Sequence, residues 1–509
     1  MRFKISILLL IFLLPASVIA DLGFFQDVSL SIDGYYRVRN YRLWDVDADR
    51  DTGIGNFAYF THELRLKPTL NLNEKISLKL DILGITGTFG NNPGNVLTMS
   101  TAATYPTIIV KRAYGEIRLP FGVLLAGRMP SHFGMGILSN DGDHPVEFGD
   151  TEIGNTYDRI LFATKPLGEK SDLLVGVFLD KLVEGERLPQ LEPANFSVST
   201  GSSRDSINEA GLVIKFKKEG FRTGLYFLNR WQKSTKTSLY IPDFCLAYTR
   251  GIFHLNFELA YIGGKTSAFP VMMKSGYIAK PEIDVASFGS VLRVGAKVKP
   301  LEDLYLETGY ASGDEAGKDA FSDLKYTQFS FDPNYKVGLL MFDFVERYFS
   351  AVKAQEVAQY LSDNAEVLRT IQRYNGLNEG YVNEYIALVN MLYPTHGSIR
   401  NTFYVFPVVK YRPVDSFQMK LGVLGAWVTG KNHRVETRHV VATSSAGAVY
   451  AKGSNYGWEV DLGLEFFYTK NASLGIQAGY MLPGDVFQKA DGSKPDSVYV
   501  LIPRLTLTF

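Results

Sequence analysis

The last stretch of the chain constrains its fold more than any other. From Tyr499 to Phe509 it reads Tyr-Val-Leu-Ile-Pro-Arg-Leu-Thr-Leu-Thr-Phe. Counting back from Phe509, every second residue is apolar: Leu507, Leu505, Pro503, Leu501 and Tyr499. The positions between hold Thr508, Thr506 and Arg504 before turning apolar at Ile502 and Val500. A period of two with one oily and one polar face is a β-strand lying between two different solvents. The last strand of a soluble sandwich reads much the same, so the rest of the chain has to decide.

The rest repeats the pattern. Val28, Leu30, Ile32, Tyr36 and Val38 alternate with Ser29, Ser31, Asp33, Tyr35, Arg37 and Arg39. Leu64, Leu66, Pro68, Leu70 and Leu72 oppose Glu63, Arg65, Lys67, Thr69 and Asn71, and after Asn73-Glu74-Lys75 a third strand runs through Ile76, Leu78, Leu80 and Ile82. Further strands are predicted near 106–119, 122–129, 157–166, 172–180, 208–218, 220–231, 238–250, 252–263, 286–299, 303–312, 400–412, 416–429, 456–468, 472–482 and 497–508. That makes eighteen, with sixteen as the alternative count. Short turns at 73–75, 120–121, 167–171, 218–220, 250–251, 299–302, 413–415 and 469–471 alternate with mostly long connections, 232–237 being the one short exception.

Short and long connectors alternating around an even strand number predict an all-β fold: a transmembrane antiparallel up-and-down β-barrel. A sheet facing lipid must close, because an open edge would leave backbone groups unpaired in hydrocarbon.

Arg2 and Lys4 precede an apolar run, Ile5 to Leu14, followed by small residues at Val18 and Ala20. This is the layout of a secretory signal peptide over 1–20, which leaves 21–509 as one barrel domain. The 53 basic and 53 acidic residues balance, which excludes the strong basic excess of a nucleic-acid binder. A single cysteine, Cys245, rules out a disulfide framework within the chain. The 47 glycines and 13% aromatics suit an exported barrel. Several of the aromatics (Trp44, Tyr59, Phe60, Trp231, Tyr240, Trp427, Trp458) fall at strand ends, as interfacial girdles do.

One segment changes period. From Met341 to Tyr374 apolar residues recur near a spacing of 3.6, and Gly376 follows as a stop. A short helical insertion over 341–374 is therefore predicted inside the longest loop, 313–399. It either caps the rim from outside or folds in to narrow the pore, and the cap is the plainer expectation.

A barrel this wide cannot be filled by its own side chains, so the default lumen is a watery channel. The inward register nominates Arg37, Arg39, Arg65, Lys67, Arg112, Glu116, Arg118, Arg128, Glu258, Arg293, Glu307, Glu459 and Asp461 as pore-lining. Early strands are mainly basic and late strands acidic, which predicts a transverse field across the pore.

The aromatic-terminated last strand resembles the terminal signal of Gram-negative outer-membrane barrels. The resemblance implies that barrel-assembly machinery reads the strand ending at Phe509. Lys111-Arg112-Ala113-Tyr114-Gly115-Glu116-Ile117-Arg118-Leu119, Gly127-Arg128-Met129-Pro130 and Phe133-Gly134-Met135-Gly136 together resemble the central signature of porin-like barrels related to the alginate exporters. That implies an eighteen-stranded outer-membrane barrel passing a polar or saccharide-like solute. The balanced charge departs from the Arg-lined alginate conduits.

Asp45, Asp47, Asp49 and Asp51 alternate as in a calcium loop but lack its central Gly and final Glu, so they are weak metal candidates beside an ordinary acidic surface loop. His132, His144, Asp141 and Asp143 gather in the loop 130–156, where the spacing allows a metal and equally suits a solvated loop. No nucleophile-elbow, zinc-protease or phosphate-loop pattern occurs, so no enzyme and no cofactor is expected. The expected function is a passive channel for small polar or saccharide-like solutes in the cell outer membrane, in contact with lipid and lipopolysaccharide, with both termini in the periplasm. A gated polysaccharide export conduit and a closed surface-interaction barrel are the alternatives.

Overall fold

A computed structural model describes residues 28–91, 108–151, 154–181, 207–272, 277–314, 324–392, 394–430, 440–444, 447–450, 453–489 and 492–509. The signal peptide expected over 1–20 lies outside them. Eighteen strands form the wall: β1 (Ser29–Trp44), β2 (Phe57–Asn73), β3 (Ile76–Asn91), β4 (Ile109–Leu119), β5 (Gly122–Pro130), β6 (Thr156–Thr164), β7 (Leu173–Lys181), β8 (Asn208–Lys218), β9 (Phe221–Gln232), β10 (Thr237–Arg250), β11 (Phe253–Thr266), β12 (Ile283–Ala296), β13 (Leu301–Ala311), β14 (Thr402–Val414), β15 (Phe417–Val428), β16 (Asn455–Thr469), β17 (Ala472–Pro483) and β18 (Val498–Thr508). Each pairs antiparallel with its neighbours in sequence, and β1 closes the ring on β18 from Tyr35↔Thr508 to Trp44↔Tyr499. Two further hydrogen bonds lock the seam, from Gly34 N to Phe509 O at 2.9 Å and from Phe509 N to Gly34 O at 3.1 Å. A nineteenth strand in the sheet, Lys325–Tyr326, only pairs in parallel with the edge of β12.

The burial of the wall is inside out. Along β16, Trp458, Val460, Leu462 and Phe466 are exposed while Glu459 and Asp461 are fully buried. Along β18, Tyr499, Leu501 and Leu507 face out and Val498, Val500 and Ile502 face in. Apolar side chains on the outside of a closed sheet call for an apolar solvent. Among the described residues no helix is long and apolar enough to cross a membrane. Trp44, Phe60, Trp231, Tyr240 and Trp458 stand exposed near the long-loop ends of their strands. Tyr59 does not join that girdle: it is buried inside, stacked on Tyr41 at 4.8 Å between ring centres.

The turns are built locally. Asn73 Oδ1 accepts the backbone N–H groups of Lys75 and Ile76, each at 2.9 Å, which reverses the chain between β2 and β3. β1, β2 and β3 run further toward the long-loop end than the alternation predicts. There Tyr41 and Leu43 still point inward and are buried.

The connection from β13 to β14 holds a π-turn (Met341–Glu346), α1 (Arg347–Asp363), α2 (Ala365–Tyr374) and α3 (Gly380–Leu392). Gly376, at φ +67°, ends α2 as expected, with Leu377 N bonded back to Gln372 O at 2.9 Å. The sequence reading stopped there and missed α3, which packs Val389 on Ala358 and Leu361, and Val382 on Ala365.

Candidate functional site

Two connections turn inward and fill much of the lumen. The first runs from Ser131 to Asn155, between β5 and β6. The second runs from Leu324 to Glu346, ahead of the helices. Phe133, Ile137, Leu138 and Phe148 of the first and Phe329, Phe331, Leu339, Leu340, Met341 and Val345 of the second are buried in one cluster with inward wall residues such as Tyr226, Tyr404 and Phe406. The cap expected over 341–374 therefore divides: its first turn is an inward plug, and only the helices after it form the outer part.

Each insert is seated on a wall glutamate. Glu258 of β11 accepts the backbone N–H groups of Met135, Gly136 (2.9 Å) and Ile137 (3.2 Å). Glu459 of β16 accepts those of Leu339 (2.5 Å), Leu340 (2.7 Å) and Met341 (2.6 Å). Three consecutive N–H groups on one carboxyl form a cradle that pairs backbone donors which would otherwise be buried without an acceptor. A second buried carboxyl adjoins each glutamate, Asp243 beside Glu258 and Asp461 beside Glu459. The inserts also hold each other, since Asp332 Oδ2 accepts Asn155 Nδ2 at 2.8 Å and Asn140 N at 3.3 Å.

Charge secures the first insert further. Asp150 lies 2.7 Å from Arg37 and 2.6 Å from Arg39. Asp143 lies 2.6 Å from Arg65, 3.0 Å from Lys67 and 2.7 Å from Arg112. Glu147 bridges Lys410 and Lys420 on β14 and β15. Burial alone would raise the Asp143 pKa, but Arg112 and then Arg65 outweigh it and hold the carboxyl well below its usual range. Lys420 and Lys410 do the same for Glu147. In the same loop, burial and the adjacent His144 ring push His132 down to about 4.

The residues nominated from sequence fall into groups. Arg37, Arg39, Arg65, Lys67 and Arg112 converge on the first insert. Glu258, Glu459 and Asp461 lie beneath the inserts rather than against open solvent. Arg293 donates to Glu307 at 2.7 Å, and Glu307 also accepts Tyr335 and Tyr404 hydroxyls at 2.8 Å each. Glu116 pairs with Lys79 at 2.7 Å and Arg118 at 3.0 Å, where Arg118 is 65% exposed. Arg128 is a correction. It pairs with Asp158 across the β5–β6 ladder, and Asp158 alternates with Arg159, which is buried inside against Asp180 and Tyr226. Strand alternation therefore puts Arg128 on the outer face.

The aspartates weighed from sequence as weak metal candidates are engaged locally. Asp49 takes Lys489 at 2.9 Å, Asp45 takes Arg50 at 3.4 Å, and Asp47 accepts Asp49 N at 3.4 Å and the Thr52 hydroxyl. Their oxygens are spent on lysine, arginine and their own loop, and do not converge on a centre.

The insert carboxylates Asp143, Glu147 and Asp150 were missed as lumen residues. Their signal was legible: three acids in one long loop beside strongly basic early strands. The inserts leave between them a cavity of about 220 Å³, lined by Glu147, Asn256, Arg293, Glu307, Tyr335 and Lys336 among others.

No protein-family model matches this sequence, and no curated protein matches it. Solved structures do. The outer membrane protein OpdK of Pseudomonas aeruginosa is similar over 96% of this chain and 100% of its own, at 11% identity and a TM-score of 0.50. A BenF-like porin of Pseudomonas fluorescens (11% identity, TM-score 0.49, covering 96% and 100%) and OccK2 of Pseudomonas aeruginosa, solved with glucuronate (12% identity, TM-score 0.47, covering 96% and 99%), share the likeness. The OpdK comparison shows the fold, a closed β-barrel. The resemblance to alginate exporters finds no support among these neighbours.

Proposed function

We propose that this chain is an outer-membrane channel through which small polar or saccharide-like solutes diffuse passively. One observation carries the reading: a closed wall, apolar outside and charged inside, whose lumen is narrowed by two seated inserts around a polar cavity. The chemistry is selection by size and by the field of the lumen charges, with no covalent step. Glu147, Arg293 and Glu307 offer both signs of charge to a solute in the cavity, while most of the basic residues of β1 to β4 are already neutralised by the first insert. A polysaccharide conduit needs a wide bore, and the apolar filling by Leu339–Val345 argues against it.

The eight short turns and both ends of the wall share one end of the barrel, the periplasmic one in this reading, with 1–20 as a removable export signal. Lipid and lipopolysaccharide would contact the outer band, and the assembly machinery the last strand.

Single-channel recording in planar bilayers tests the reading, on the intact chain and on one lacking 324–346. A steady current from the intact chain, larger in the deletion, is expected. Silence from both would leave a closed surface barrel instead.

A further inference from the structure

The first insert carries one group of side chains that its seating does not use. His132, Asp141 and His144 offer three ligand atoms within 4.8 Å of one another. The imidazoles lie face to face, ring centres 3.5 Å apart and 17° from parallel. Both turn Nδ1 toward the same oxygen: His144 Nδ1 is 3.1 Å and His132 Nδ1 3.8 Å from Asp141 Oδ1. His132 Nδ1 is buried and makes no hydrogen bond among the described residues. A buried nitrogen with its bonding capacity unmet is costly, and in a native structure it points to a missing partner.

The surroundings select what that partner is. Asp143 and Glu147 are occupied by arginines and lysines, so the ligand set is two imidazoles and one carboxylate. That set suits borderline divalent cations of the zinc type, whereas Ca²⁺ and Mg²⁺ want more oxygens. Bond lengths of about 2.0–2.2 Å put neighbouring ligand atoms of a tetrahedral site roughly 3.3 Å apart. His144 Nδ1 and Asp141 Oδ1 already have about that spacing, at 3.1 Å, and His132 Nδ1 lies 3.8 Å from the same oxygen. The His144 side chain is 54% exposed, and both rings line the cavity, which gives a cation an entry path and supplies water for the fourth position. The loop is held between His132 and Asp141, at 135–137 by Glu258 and at Asn140 by Asp332, so the ligands are pre-positioned.

We infer that His132, Asp141 and His144 form a binding site for a zinc-type divalent cation on the cavity face of the first insert. The cation takes the place of the proton between His144 Nδ1 and Asp141, which leaves to solvent. The site does not depend on whether the lumen conducts.

Isothermal titration of ZnCl₂ into the untagged chain in detergent at neutral pH tests this, with Co²⁺ absorption reporting the coordination geometry. One saturable Zn²⁺ per chain is expected. His132→Gln and His144→Gln should each weaken binding by about 100-fold or more, beyond the 10–100-fold that loss of an outer partner costs. His254→Gln, whose ring bonds Asp303 far from this loop, should bind as the parent does. His144→Gln decides alone if the more buried His132 variant does not fold. No saturable site in the parent, or undiminished affinity in His144→Gln, overturns the inference.

Discussion

The two inserts are seated by the same device and secured by different physics. Each gives three consecutive N–H groups to a wall glutamate, Glu258 for the first and Glu459 for the second. Beyond that cradle, the first insert is tied by Asp143, Glu147 and Asp150 to basic wall residues. The second is packed by Phe329, Phe331 and Leu339–Val345, with Asp343 paired to Lys336 within the insert and to Arg347 at its exit, and with the Tyr335 hydroxyl on Glu307 of the wall. One loop has several redundant ionic ties. The other relies on its cradle, an apolar fit and a few polar contacts through Asp332 and Tyr335, so it is expected to be the easier of the two to dislodge.

The largest effect should come from removing that cradle. Glu459→Ala leaves three buried N–H groups without an acceptor, at about 1–3 kcal/mol each, so a loss of about 3 kcal/mol or more in the seating of 324–346 is expected. Single-channel conductance should rise and protease should cut within 324–346. Glu258→Ala, with its ionic ties intact, should change conductance less, and equal effects would remove the distinction.

A smaller effect is expected at Gly289 on β12, where an added Cβ would strike the Phe329 ring. Gly289→Val overpacks the apolar seat at about 1–3 kcal/mol. It should loosen the second insert and leave the first in place, as proteolysis of each loop would show.

The smallest concerns pH. Asp143 and Glu147 titrate below the ordinary carboxylate range in the folded state. Their stabilisation is therefore complete above the unfolded values, about 3.9 and 4.3, and is lost only as pH falls through the depressed folded ones. Protease resistance of the first insert should stay level from pH 7 to about 4.5. Cleavage within 131–155 inside that window would mean the ionic ties do not hold the first insert.

The wall was legible because alternation is a local property: Leu501 and Leu507 stand on the outer face in the register that the sequence alone requires. The inserts were not. The apolar spacing of Phe344, Val345 and Tyr348 announces a helix, yet it carries no information on whether the oily face meets the barrel interior or another helix. α3 escaped because Gly376 ends one helix convincingly and Gly380 is a poor helix opener, although Asn378 was a legible start signal and its Oδ1 accepts Gly380 N at 2.8 Å. Glu258 and Glu459 were read correctly as inward. Their task under a loop depends on a partner more than a hundred residues away, which no periodicity records. Arg128 was misplaced by one register position: the ladder runs unbroken through it, and the buried Met129 beside it takes the inward face.

The first insert touches β1 through Asp150, β2 and β4 through Asp143, β14 and β15 through Glu147, and β11 through its cradle. These strands lie on separated arcs of the ring. A thin-walled hoop in a fluid sheet is easily pressed into an oval by lateral pressure, and a hub with spokes to several arcs resists this. The loop that narrows the bore is thus also what keeps it round.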